Sequence, residues 1–564
     1  AATNYTGKKY LMHAGFIYNR IRRGENGGII DEAWIRDTTV DAREIEVYLN
    51  NARSNLKKNT VFLDQSLRIP FTFLDKNVRA KKKEEKRQAF LRDSIMATGD
   101  SAAIAAFTAA EEARLAKESK EDESADTLKT DITTAFIGHS SEYTVIRKSY
   151  EDQITSSDNF AREFFGDRFY INPTTSHDSL RVMRLENRVF IRLQPWKSDG
   201  IISKLDVGIG DKLLNYYSFK PSDYIQGTTN VLQNSMYLYA GAQGQYKKYL
   251  TWNAKGQYTF LGHEINDFGI EANMSFSAYP FRRDRKSPLT LNVHFETNLK
   301  EPDYYQQHLY TNHYKWNNNF GKISTTKLQA AVLVPKWDLY GSFGYGLLSN
   351  NIYYDTDGTA RQNDKAMSVI TANLQKDFKL WKFHLENRAT LQFSSSPDVM
   401  PLPLLALNLR YYFQFDVVKN VMKMQIGANA LFTTKWNAPA YNPVLGVFHN
   451  QTEREYGNCP YIDAFVNIQW KRVSVFVKAT NVNMGWPNKH ADYFTAAGYI
   501  APQRGIKFGI KWPFWVFAGK NSSTSASKAG TAGGGMGGGR PSSGRSGAGS
   551  GRPGGGFQST LNTR

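Results

Sequence analysis

Chemistry on a substrate needs a nucleophile, a base and an orienting group at matched spacing, and the ten histidines of this chain show no such spacing. His263-Glu264 and Lys489-His490 come nearest. Both lie in polar stretches that read as solvated loops, and a metal would need further converging ligands. The single cysteine, Cys459, permits neither an internal disulfide nor a clustered thiolate site, and reads as a small loop residue. We therefore expect no enzyme, no metal and no cofactor. The side chains able to act are regularly spaced polar and basic ones: Arg410, Lys423, Gln425, Asp463, Asn467, Gln469, Lys471, Lys478, Lys507 and Lys511. Lining an aqueous pore, they would set its field and solute preference. Inside a filled barrel they would only satisfy one another.

What must position them is a set of strands. From about Ile132 to Phe517 the dominant period is two, which puts successive side chains on opposite faces. Ile506, Phe508, Ile510, Trp512 and Phe514 share one face while Lys507, Gly509 and Lys511 share the other. Leu405, Leu407, Leu409, Tyr411 and Phe413 likewise alternate with Ala406, Asn408, Arg410, Tyr412 and Gln414. Aromatic residues make up 13% of the chain, yet mean hydropathy is only −0.51. No apolar run approaches the roughly 18 residues of a spanning helix. Alternating lipid-facing and water-facing positions produce such an average. The formal charge of +19 is spread along these strands without a nucleic-acid-binding pattern, so a basic lumen or rim is expected and nucleic acid is not.

Alternation alone also suits a soluble sandwich; connection lengths decide. Counting from Lys9 gives about 18 strands, within about 14 to 22, each on the order of 10–14 residues. Connections after even strands are short, as at Ser198-Asp199-Gly200, Pro335-Lys336-Trp337, Leu380-Trp381 and Lys471-Arg472. Those after odd strands run long, as at Glu25–Asn59, Glu151–His177, Lys300–Lys322, Lys435–Cys459 and Asn483–Arg504. Short periplasmic turns and long outer loops are what an outer-membrane barrel needs. The expected fold is thus all-β, an antiparallel transmembrane β-barrel. Loop 435–459 either folds inward as a constriction or lies flat. Aromatic clusters such as Tyr411-Tyr412-Phe413 and Trp512-Pro513-Phe514-Trp515 would form interfacial girdles.

The chain divides into first strands and a long loop (1–74), a charged helical insertion (75–131), the main barrel (132–517) and a Gly/Ser/Arg-rich disordered tail (518–564). By parity the insertion and tail are periplasmic. The insertion, basic from Lys76 to Arg92 and acidic from Glu111 to Asp126, would fold as a helical hairpin around Gly99-Asp100. The opening AATNYTG has neither Met nor a signal segment, so any leader has been removed.

The stretch from Tyr441 to Trp486, YNPVLGVFHNQTEREYGNCPYIDAFVNIQWKRVSVFVKATNVNMGW, resembles the C-terminal half of the porin family of Bacteroidota, as do DYFTAAGYIAPQRGIKFGIKWPF (Asp492–Phe514) and ENGGIIDEAWI (Glu25–Ile35). The resemblance implies an outer-membrane barrel of a bacterium from that phylum. In that family the ENGGI-like stretch lies well inside the chain. Here it starts at residue 25, which implies N-terminal strands missing or supplied separately. For that phylum, Asp93-Ser94-Ile95, Asp100-Ser101-Ala102 and Asp126-Thr127-Leu128 also fit an Asp-Ser/Thr-apolar O-glycosylation pattern, making Ser94, Ser101 and Thr127 candidate acceptors. Function divides three ways. The leading expectation is a passive channel for small hydrophilic solutes, with outer-membrane lipid as its partner. The second is a structural subunit of an envelope assembly or export machine, touching other envelope proteins through 75–131 and the tail. TonB-dependent transport is third, for want of a plug domain in the sequence.

Overall fold

A computed structural model describes residues 2–512 except 8, 37–38, 42, 71–75, 99–106, 111–133, 156, 195–199, 219–228, 281–286 and 487–492. Its main element is a single sheet of 19 strands. In chain order they are β1 (Ala2–Thr6), β2 (Tyr10–Glu25), β3 (Ala52–Pro70), β4 (Thr134–Gln153), β5 (Thr175–Gln194), β6 (Lys204–Ser218) and β7 (Thr229–Tyr246). Then come β8 (Leu250–Gly262), β9 (Phe268–Ala278), β10 (Leu289–Lys300), β11 (Ile323–Val334), β12 (Leu339–Ser349) and β13 (Met367–Leu380). The last are β14 (Phe383–Ser394), β15 (Leu405–Val418), β16 (Met422–Thr433), β17 (Tyr461–Trp470), β18 (Val473–Thr480) and β19 (Gly505–Lys511). Each pairs antiparallel with the next in sequence, from β1–β2 to β18–β19. No helix among the described residues is long and apolar enough to cross a membrane.

Alternation fixes the two faces. On β17, Ile462, Ala464, Val466, Ile468 and Trp470 share one face and Asp463, Asn467 and Gln469 the other. The register continues the apolar row through Ile426, Val466, Val477 and Phe508. Large apolar side chains stay about half exposed along the whole sheet, for example Val189, Leu238, Phe343, Leu374 and Phe393. A water-soluble protein does not leave a patch of that extent bare, so this face is the lipid face. The opposite face carries the ion pairs.

The two ends differ. At one end the connections are tight, several turning on a residue with positive φ, among them Asp338, Trp381, Asn420 and Lys471. Exposed tryptophans Trp337, Trp381, Trp470 and Trp512 mark this end, and Trp381 and Phe383 cluster with Phe413 at ring distances of 5.8 and 5.0 Å. Amphipathic rings prefer such a boundary between lipid and water. Helix α1 (Lys76–Thr98) leaves from the same end, between β3 and β4. The other end carries the long connections, including 26–51, 154–174, 301–322, 434–460 and 481–504.

Candidate functional site: a capped mouth and a charged wall

The long loops fold onto one another. Leu49, Ile154, Ala161, Phe165, Leu309, Tyr314 and Val444, from four different loops, form one buried apolar cluster with Tyr150 of β4. Ile35, Tyr493 and Ala501 form a second, with Cys459 packed against it. Loop 434–460 therefore joins a cap over the mouth instead of lying flat. Its hairpin (Ala440–Asn442 with Val447–His449) half-buries His449, and partial desolvation holds that imidazole below its ordinary value despite a hydrogen bond to the Asn450 carbonyl.

A polar knot ties the cap to the wall. Asp152 on β4 and His313 on the loop after β10 lie 3.0 Å apart, with 2% and 0% of their side chains exposed. The His313 ring stacks on Phe165 at 3.7 Å. Beside it, the Asn312 backbone N–H donates to Asp178 Oδ1 at 3.0 Å. The Asn312 amide donates to Ser176 Oγ at 2.7 Å, and its oxygen accepts from the backbone N–H groups of Ile171 and Asn172.

Asp152, His313 and Ser176 are the residue types of a hydrolytic triad, but their geometry is wrong for one. In such a relay the carboxylate holds the ring nitrogen opposite the one facing the hydroxyl. Here Asp152 and Ser176 both face Nε2, at 3.0 and 2.8 Å, while Nδ1 faces the Arg168 carbonyl. Ser176 is also buried. The group is a structural latch.

The register places Arg410, Lys423, Gln425, Asp463, Asn467, Gln469, Lys478, Lys507 and Lys511 on the polar face together, through the pairs Lys423–Gln469, Gln425–Asn467 and Lys478–Lys507. Lys471 departs from the expected inward set. β17 ends at Trp470 and Lys471 takes the left-handed position of a two-residue turn, at φ 51°, so it sits exposed on the rim. Much of the wall is internally paired. Lys478 Nζ lies 2.5 Å from Asp463 and Arg410 lies 3.8 Å from Glu386. Gln425 donates to Gln414 and accepts from Asn467. Further pairs are Arg192–Asp206 at 2.6 Å and Lys255–Glu271 at 2.8 Å. Lys423, Lys507 and Lys511 have no ion pair among the described residues.

Aromatic rings also enter this face. Tyr412 stacks on His384 at 4.8 Å and donates to Glu386, and Arg410 lies over Tyr412 and Phe465 at 5.0 and 5.1 Å. Tyr412 is admitted because its register partner is Gly427, where a Cβ would meet Tyr412 Cβ at 2.4 Å. Glu264 is half-buried and ion-paired with Lys212, so the expected solvated role does not hold for it; His263 is exposed. Lys489-His490, Ser101, Thr127, the hairpin at Gly99-Asp100 and the tail lie outside the described residues, and Ser94 is exposed on α1.

A large antiparallel sheet with a lipid-facing apolar side, a charged opposite side and packed loops defines a β-barrel membrane protein. Residues 1–515 match the model of the family described as "Putative porin", and the chain belongs to that family. No curated protein matches it. Among solved structures it is similar to a ferric enterobactin receptor of Pseudomonas aeruginosa at 10% identity and TM-score 0.47, over 90% of this chain and 78% of that one. A siderophore receptor of Acinetobacter baumannii gives 8% and 0.46, over 91% and 76% of the two chains. An iron transporter of Neisseria meningitidis gives 9% and 0.43, over 91% and 78%.

Proposed function

We propose that the protein passes small hydrophilic solutes by passive diffusion, with the capped mouth outside the cell and the tight turns and α1 in the periplasm. The observation that carries this reading is the polar wall running the length of the strands behind a continuous lipid face. Its field favours anions where basic side chains lack partners. Conductance of the purified protein in a planar bilayer tests the reading. A barrel that stays silent with its cap opened would sink it. Replacing Lys507 and Lys511 by Glu should shift the anion-to-cation permeability ratio at least about twofold toward cations at low salt. An unchanged reversal potential would remove these two residues from the conducting path.

A second reading rests on α1. Phe90, Leu91 and Met96 are exposed on it, and a helix with so thin an apolar stripe gains order where a partner covers it. In this reading the chain is a structural subunit that docks other envelope proteins through 75–131. Exchanging 76–130 for a short turn should leave a heat-modifiable barrel while removing cross-linked partners. Loss of the barrel with partners retained would mean that the segment serves folding. Mass spectra of the same preparation report whether Ser94 carries glycan.

A further inference from the structure

The outward face of the sheet carries one row that hydrocarbon cannot satisfy. Four basic side chains stand directly opposite one another on four successive strands. Arg20 on β2 pairs with Lys57 on β3, Lys57 with Arg147 on β4, and Arg147 with Arg181 on β5. Alternation puts Lys57 on the side of Val61 and Arg181 on the side of Val189, so the whole row faces out. Directly opposite residues bring their Cβ atoms to about 4.5–5.5 Å, where like charges destabilise the pair. None of the four has an ion pair among the described residues. Arg20 Nε donates to the Asn55 side-chain oxygen at 3.2 Å. The Arg181 guanidinium lies over the Tyr217 ring at 5.3 Å, with its Nε buried and without a hydrogen-bond partner. The one acid on the same face of β4, Glu151, is taken by Arg53 at 2.7 Å.

The height of the row on the wall says what kind of anion would meet it. A tilted strand crosses the hydrocarbon in about 9–11 residues. Counted from Ala135 at the turn end of β4, that stretch ends near Val145, and Arg147 is the next outward residue. On β5 the count from Leu193 ends near Met183, and Arg181 follows. The cations therefore stand at the edge of the lipid on the capped side. Below them on the same four strands, the register partners Phe16, Val61, Tyr143 and Leu185 form an apolar row. The first three are 45%, 49% and 37% exposed, so this row is open to an occupant. A molecule that meets both rows has an anionic head and a hydrocarbon body.

We propose that the row of Arg20, Lys57, Arg147 and Arg181 binds the phosphate of a lipid headgroup in the leaflet at the capped end, with the acyl chains of that lipid on Phe16, Val61, Tyr143 and Leu185. That this leaflet is the outer one rests on the orientation proposed above; the site itself rests only on the lipid face. Guanidinium groups take phosphate oxygens through paired N–H donors, and the lysine adds a point charge. One phosphate thus relieves the repulsion along the row and ties β2 to β5 where the wall leaves the membrane.

The test titrates the purified protein in a neutral detergent with phosphatidic acid and reads the complex by native mass spectrometry. Wild type should bind this lipid at least about tenfold more tightly than phosphatidylcholine, whose phosphate is offset by its own cation. Arg20→Gln, Lys57→Gln, Arg147→Gln and Arg181→Gln together should remove that preference while heat-modifiable mobility is kept. Lys57→Gln with Arg147→Gln, the central pair, should lower it at least about threefold, and is read alone if the fourfold variant does not fold. Lys423→Gln, Lys507→Gln and Lys511→Gln together, on the opposite face, should bind as wild type does. Equal binding of the two lipids, a preference retained in the row variants, or an equal loss in the opposite-face variant would overturn the proposal. So would displacement of the lipid by a modest excess of inorganic phosphate, which would make the row a site for the free anion. Lipid binding is read whether or not the protein conducts, so a silent bilayer counts against the channel and not against this site.

Discussion

Asp152→Ala should open the cap. The substitution leaves the His313 ring and the Ser176 backbone N–H buried without the carboxylate that both face, and a buried polar group left unsatisfied costs about 1–3 kcal/mol each. A loop cap held by two small apolar clusters and this knot cannot absorb that loss. We expect loops 154–174 and 301–322 to become protease-sensitive in intact membranes and single-channel conductance to rise, with heat-modifiable mobility unchanged because no strand ladder is touched. Ser176→Ala is the internal comparison. It removes one neutral hydroxyl, worth about 1 kcal/mol, and should leave the loops protected. Equal protection in wild type and Asp152→Ala, with equal conductance, would show that the latch does not hold the mouth.

Val466→Arg should destabilise the barrel far more than Asn467→Arg, one residue along the same strand. Val466 lies mid-strand in the apolar row between Ile426 and Val477, while Asn467 faces the wall between Gln425 and Phe476. An arginine at the lipid midplane costs about 2–4 kcal/mol, whereas a lumen-facing one alters the field without entering hydrocarbon. Urea titration of the protein folded into lipid vesicles should separate the two variants by at least about 2 kcal/mol. Equal stabilities would mean that the faces are misassigned.

The faces were legible in the sequence because strand geometry is local. A period of two needs no knowledge of neighbours, so Ile506, Phe508 and Ile510 separate from Lys507 and Lys511 on sight. Connection lengths told the turn end from the loop end for the same reason. Lys471 was misplaced by one residue, since alternation does not say where a strand stops and a left-handed turn begins.

The latch was not legible. Asp152 and His313 are 161 positions apart and carry no spacing; only the curl of the sheet and the convergence of four loops bring them together. The sequence by itself determined which side chains meet lipid and which end carries the long loops, because both follow from local geometry. Only the tertiary structure decided that the mouth is capped, because that depends on which distant loops reach packing and hydrogen-bonding distance.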